Sequence, residues 1–165
     1  MNYYLLQRTQ YLPITLAEAW DFFSSPHNLE KITPPSMGFQ VLSDSHTQKA
    51  YAGQIITYYV RPILNIKLFW MTEITHVAEQ QYFVDEQRFG PYAFWHHTHF
   101  FKAVPGGVEM HDQVHYKLPF GFLGSIVHRI MVKKQLHDIF DFRYQFLEKH
   151  FGKFNANANS AIHEA

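Results

Sequence analysis

Residues 108–118 alternate most cleanly along the chain. Val108, Met110, Val114 and Tyr116 fall on one side of an extended strand, and Glu109, His111, Gln113, His115 and Lys117 on the other. Asp112 breaks the apolar side, so the pattern puts a carboxylate where a core residue is expected. Four further stretches, 50–61, 66–77, 81–89 and 93–104, read as strands at hairpin spacing, with Pro62, Asn65, Glu79, Gly90, Pro91, Pro105, Gly106 and Gly107 marking the turns. Residues 2–12 alternate more weakly and read as a first strand ended by Pro13. Residues 39–43 read as a short strand. Between these two lie two short helices. Thr15 and Glu18 have capping-box spacing ahead of an apolar face of Leu16, Ala19, Trp20 and Phe23. Ser25 is the expected cap of the second helix, with Pro26 in its first turn, Leu29 and Ile32 as anchors, and Thr33, Pro34 and Pro35 as its stop.

The one long helical pattern runs from 122 to 151, with Ser125 as the expected N-cap and Gly152 as a left-handed C-terminal cap. Its apolar residues form two stripes. Leu123, Ile126, Val127, Ile130 and Met131 make one. Leu136, Ile139, Phe140, Phe146, Leu147 and Phe151 make another, displaced by more than a right angle, with a bend at 132–135 as one way to absorb the shift. The pattern therefore predicts an α+β fold: a curved antiparallel sheet of about six or seven strands wrapped around a long C-terminal helix, with two short helices after the first strand. The displaced first stripe is expected to roof a cavity, while the second clamps the sheet through Ile139, Phe140, Leu147 and Arg143.

Composition narrows the function classes. At 165 residues the chain is read as a single domain over 1–152 with a disordered tail at 153–165. Fourteen basic and fourteen acidic side chains balance, so no broad field draws nucleic acid or an anionic membrane. The absence of cysteine excludes a disulfide framework, a thiolate metal site and a cysteine nucleophile, and fits a cytoplasmic location. The N-terminus does not read as a secretion signal, and no run of 18 apolar residues reads as a membrane span. An aromatic fraction of 18% together with 12 histidines exceeds what a small core needs as filling, and points to side chains that line a space.

The order of elements, with SSPHNLEKITPP near the start, WMTEI, VDEQRFGPYAFWHHTHFF, HDQVHYKLPFGFLG and IFDFRYQFL, resembles the SRPBCC superfamily, also called START-like or helix-grip, and within it a bacterial ligand-binding, polyketide cyclase-like group. The resemblance spans nearly the whole chain and is densest over 85–101. It implies an elongated apolar cavity between sheet and helix and no single activity, because the superfamily includes carriers, receptors, cyclases and oxygenase subunits. The family's recurring positions match Trp70, Thr72, Asp85, Gln87, Gly90, Pro91, Trp95, His97, His99, Phe101, Asp112, Val114, Tyr116 and Arg143. Of these, all but Gly90 and Pro91, together with Phe122, Ile126 and Ile130 from the first helical stripe, are the expected ligand-binding residues.

Arg143 lies in the second stripe and needs a partner, either Asp112 or Asp85, in a pair that fixes the helix on the sheet or contacts ligand. His97 and His99 share one face of a strand, and His96 faces outward. With Asp85 or Asp112 the pair has the spacing of a zinc or non-haem iron site. The plainer reading is a hydrogen-bonding pair that knits strands or orients a polar head group, and no metal or other cofactor is expected. The expected function is binding of a small hydrophobic or amphipathic ligand: a lipid, an isoprenoid or quinone, or a polyketide-like molecule. One rival is a cyclase- or dehydratase-like enzyme whose candidate catalytic residues are His97, His99 and Asp85, with Tyr116 nearby. The other is a protein-interaction module whose cavity is filled by its own aromatics. No nucleic-acid partner and no stable membrane insertion are expected.

Overall fold

The computed structural model describes residues 3–43, 49–62 and 65–155, without the side chains of 125–128. Among the described residues, seven strands form one antiparallel sheet in the order β1-β7-β6-β5-β4-β3-β2. They are β1 (Tyr4–Leu12), β2 (Gln40–Val41), β3 (Gln54–Val60), β4 (Leu68–Ala78), β5 (Tyr82–Phe89), β6 (Phe94–Val104) and β7 (Gly107–Lys117). The fold is the α+β sheet-and-helix arrangement that the alternation predicts, although the strand at 39–43 shortens to two residues. Burial alternates residue by residue along β7, with Val108, Met110, Asp112, Val114 and Tyr116 all buried. Register shifts between β4 and β5, at Met71/Thr72 and again at Ile74/His76, bend the sheet where it must curve.

Helices α1 (Leu16–Phe23) and α2 (Pro26–Lys31) close one end. The Thr15–Glu18 capping box forms in both directions, with the Glu18 backbone N–H donating to Thr15 Oγ1 at 3.2 Å and the Thr15 N–H donating to Glu18 Oε2 at 2.8 Å. Ser25 precedes α2 but makes no side-chain cap; Pro26 supplies the preorganised first turn.

The C-terminal helical segment departs from its sequence reading. It begins at Gly121 as α3 (Gly121–Val127), widens into a π turn (His128–Val132) and continues as α4 (Lys133–Phe151). Ser125 thus lies inside α3 and is not its N-cap. Gly152 has φ 95° and ψ 167°, a positive φ outside the left-handed helical region, and its N–H returns to the Glu148 carbonyl. Val132, Leu136, Phe140, Arg143 and Leu147 are buried, a single stripe at helical spacing against the sheet.

The first stripe faces solvent where its side chains are described: Leu123 is 65% exposed, Ile130 69% and Met131 39%. The expectation that 123–131 roofs a cavity is therefore overturned. Periodicity identifies an apolar stripe without specifying what covers it, and here α4 does the covering. Of the expected tail, Phe154 lies against Tyr11 with ring centroids 5.4 Å apart, and 156–165 lie outside the described residues.

The two halves of the helix should respond differently to truncation. Leu147→Ala removes a side chain with no exposed surface and should cost about 2–5 kcal/mol, whereas Ile130→Ala should stay within about 0.5 kcal/mol, both read from urea unfolding midpoints.

Candidate functional site

Strands β4 to β7 turn one side of their pleat toward α4, so residues two apart along each strand share that concave face. Asp85 on β5 sits opposite His97 on β6, and His99 on β6 sits opposite Asp112 on β7. The result is a cluster of two imidazoles and two carboxylates. His97 Nε2 is 2.9 Å from Asp112 Oδ1, and its Nδ1 is 3.3 Å from Asp85 Oδ2. His99 Nε2 is 2.9 Å from Asp85 Oδ2. His99 Nδ1 comes within 2.8 Å of Asp112 Oδ1, off the line a hydrogen bond requires. The two rings lie 3.7 Å apart, centroid to centroid, and His99 stacks on Phe83 at 4.2 Å.

Arg143, on α4, reaches both oxygens of Asp112 through Nη1 at 3.4 Å, so Asp112 is the carboxylate that the helix cation meets. The guanidinium also lies over the Phe140 ring at 4.8 Å. Trp95 Nε1–H donates to Asp85 Oδ1 at 3.2 Å and holds that carboxylate from the side. Burial works against the charge on both aspartates. His97 and His99 beside Asp85, and Arg143 with both histidines beside Asp112, more than offset it and hold both carboxyls below the usual range. His97 is pushed up: burial opposes its charge, and Asp85 and Asp112 outweigh that opposition.

Asp85, His97 and His99 of the cluster line a cavity of about 170 Å³ between the sheet, α4 and the α1–α2 segment. Among its walls are Trp70, Thr72, Asp85, Trp95, His97, His99 and Arg143, seven of the residues expected from the sequence. Thr72 Oγ1 accepts from Trp70 Nε1–H at 3.0 Å and is hydrogen-bonded to the Tyr58 hydroxyl at 3.0 Å. Burial, reinforced by Asp85, raises the Tyr58 hydroxyl well above its ordinary range, so it stays neutral. Ile56, Ile74 and Phe83 complete the apolar sheet wall, and Leu136, Ile139 and Phe140 form the roof.

Several expected positions lie elsewhere. Phe122 and Ile130 are 78% and 69% exposed and do not line the cavity, which corrects their reading as ligand contacts. The Ile126 side chain is outside the described set. Gln87 exchanges both ends of its amide with the Tyr92 backbone, at 2.7 and 3.1 Å. It thereby shapes the β5–β6 turn, and a Cβ at Gly90 would come within 2.4 Å of its Oε1. Phe101, Val114 and Tyr116 are buried in the core beside the cavity, with burial and the neighbouring Tyr4 pushing the Tyr116 hydroxyl up to about 12. Asp112 borders a separate polar space with Arg8 and Asp141. His96 lies on the outer face, 2.8 Å from Glu86.

The sequence reading assigned no site role to Tyr58, Phe83 or the α4 roof. Phe83 alternates in phase with Asp85 and Gln87 on its own strand, and phase alone would have found it; Tyr58 lies on β3, where no residue was chosen, and is placed by its pairing with Trp70.

No protein-family profile and no curated protein matches the chain in sequence. Solved structures do match in shape. A START superfamily protein from Mycobacterium smegmatis superposes with a TM-score of 0.65 at 11% identity, over 89% of this chain and 96% of that one. The major latex-like protein 151 of Panax ginseng gives 0.64 at 11% identity, over 90% and 97%. Protein Ms6760 of M. smegmatis gives 0.62 at 19% identity, over 88% and 92%. The fold is that of START-like, helix-grip proteins. No helix among the described residues is long and apolar enough to cross a membrane.

Removing the helix cation should expose the cost of the buried charge. Arg143→Met leaves Asp112 uncompensated and should lower stability by about 3–5 kcal/mol in urea unfolding, and adding Asp112→Asn should recover a large part of that loss.

Proposed function

We propose that the chain binds a small hydrophobic or amphipathic molecule in the cavity between sheet and α4, with its apolar body against Ile56, Ile74 and Phe140 and an oxygen-bearing head at the His97–His99–Asp85 end. One observation carries this reading: a cavity with largely apolar walls also has a buried, charged and aromatic-flanked cluster in its lining. Such a lining suits a ligand whose body supplies burial and whose head supplies orientation. The volume supports it. A cavity of about 150 Å³ lined by apolar side chains is enough to take up a benzene-sized ring, so about 170 Å³ favours ligand binding over a space filled by the protein's own aromatics. Lipids, isoprenoids, quinones and polyketide-like rings share the required chemistry.

Displacement of the fluorescent probe N-phenyl-1-naphthylamine tests it. The wild-type protein should bind the probe with enhanced emission and release it on addition of a long-chain fatty acid or a quinone. Ile139→Trp, at a half-buried position in the roof, should abolish probe binding while costing about 1–3 kcal/mol of stability. Unchanged probe binding in that variant sinks the assignment of the cavity.

A further inference from the structure

Hydrogen counting at the cluster leads beyond ligand binding. All four ring nitrogens of His97 and His99 lie 2.8–3.3 Å from carboxylate oxygens. Carboxylates only accept, and two neutral imidazoles carry just two N–H groups between them. With both rings neutral, two nitrogens without a hydrogen are left facing carboxylate oxygen, a repulsive arrangement that either a second proton on an imidazole or a metal ion between the groups relieves.

The nitrogens sort into two sets. His97 Nε2 and His99 Nδ1 face Asp112 Oδ1, and His97 Nδ1 and His99 Nε2 face Asp85 Oδ2. If the first set carries the hydrogens, the second set and Asp85 Oδ2 form three unprotonated donors converging from two adjacent strands. Two of the three separations are 3.3 and 2.9 Å, and one donor atom from each of Asp85, His97 and His99 lies within 4.8 Å of the others. Bonds of about 2.0–2.1 Å to a tetrahedral zinc ion place its ligands about 3.3 Å apart.

We infer that Asp85, His97 and His99 form a binding site for a divalent first-row metal ion, zinc in the first instance, with its fourth position open to the cavity. The surroundings fit this role. Asp112 Oδ1 accepts from the far nitrogen of His97 at 2.9 Å, where a carboxylate orients a metal-bound imidazole and fixes its tautomer, and lies 2.8 Å from the far nitrogen of His99. Arg143 neutralises Asp112, which keeps it an orienting group, and the Trp95 indole holds Asp85 Oδ1 so that Oδ2 is the free donor. With the ion bound, two carboxylates, one guanidinium and a 2+ metal leave one positive charge, which an anionic oxygen from hydroxide or from a ligand head group neutralises. The site would thus select carboxylate, enolate or phenolate heads from among amphipathic ligands.

The metal alone is the probe. Chelator-treated protein is titrated with zinc sulfate by calorimetry and with cobalt(II) chloride by visible absorption. One ion per chain should bind, and cobalt should show the d–d bands of a four-coordinate nitrogen and oxygen site. His97→Gln and His99→Gln should each lower affinity by about 100-fold or more, and Asp112→Asn by about 10–100-fold. His111→Gln, on the outer face of β7, should change nothing.

Absence of zinc binding by the wild type, or full affinity in both glutamine variants, overturns the inference. If those variants do not fold, X-ray absorption of the cobalt-loaded wild type decides it: two imidazoles and a carboxylate support the site, and a water-dominated shell refutes it. The inference stands on the cluster alone. Zinc binding without probe binding would sink the proposed function and keep this site, and the reverse result would do the opposite.

Discussion

The Asp112 carboxylate, buried at the centre of β7, couples the two layers of the molecule. On the sheet side it faces His97 and His99, and on the helix side it meets Arg143. A charge taken out of water is stable only when its partners are fixed in place. Asp112 therefore constrains the register of β6 against β7 and the rotation of α4 over the sheet together. Leu136, Phe140 and Leu147 are buried on the helix face that Arg143 occupies, so apolar packing and the ionic contact demand the same helix rotation.

The cavity follows from what flanks that contact. Trp70, Tyr92 and Trp95 meet one another edge-on or tilted, with centroids 4.9–5.5 Å apart, and Tyr58 stacks against Trp70. Rings in these arrangements are stiff and cannot fold into a gap as an aliphatic chain does. The register shifts between β4 and β5 add local bend to the wall that faces the cavity. A space bounded by large planar groups, with a helix pinned across it at Arg143, has no cheap way to collapse.

Features whose cause is local could be read from the sequence. The Thr15–Glu18 cap depends on four residues, and the alternation on β7 depends only on the pleat, so both survive in the structure. The concave placement of Trp95, His97 and His99 follows from the same period. What could not be read depends on partners distant in sequence. The first helical stripe is apolar, yet whether it roofs the cavity depends on where the segment turns, and a π turn at 128–132 intervenes. Gln87 has the right phase for the cavity, but a backbone partner five residues on claims its amide. Asp112 and Arg143 were both visible as charges on apolar faces. The choice of Asp112 over Asp85 as the partner of Arg143 needed the geometry of α4 over β7.

Stability is a weak explanation for this cluster. Well-packed apolar residues of similar volume often replace buried ion pairs at no cost or with a gain of about 1–4 kcal/mol. The chain already places large apolar residues at neighbouring concave positions, Phe83 and Phe101 among them. A phenylalanine or leucine at 97 or 99 would extend that surface and remove the need for Asp85, Asp112 and Arg143 to compensate one another. Arg143 and Asp112 fix the helix without either histidine, and the histidines add the tie between β6 and β7. The two imidazoles and Asp85, together with Arg143, also border the cavity, so the same groups that tie the layers together face the space between them.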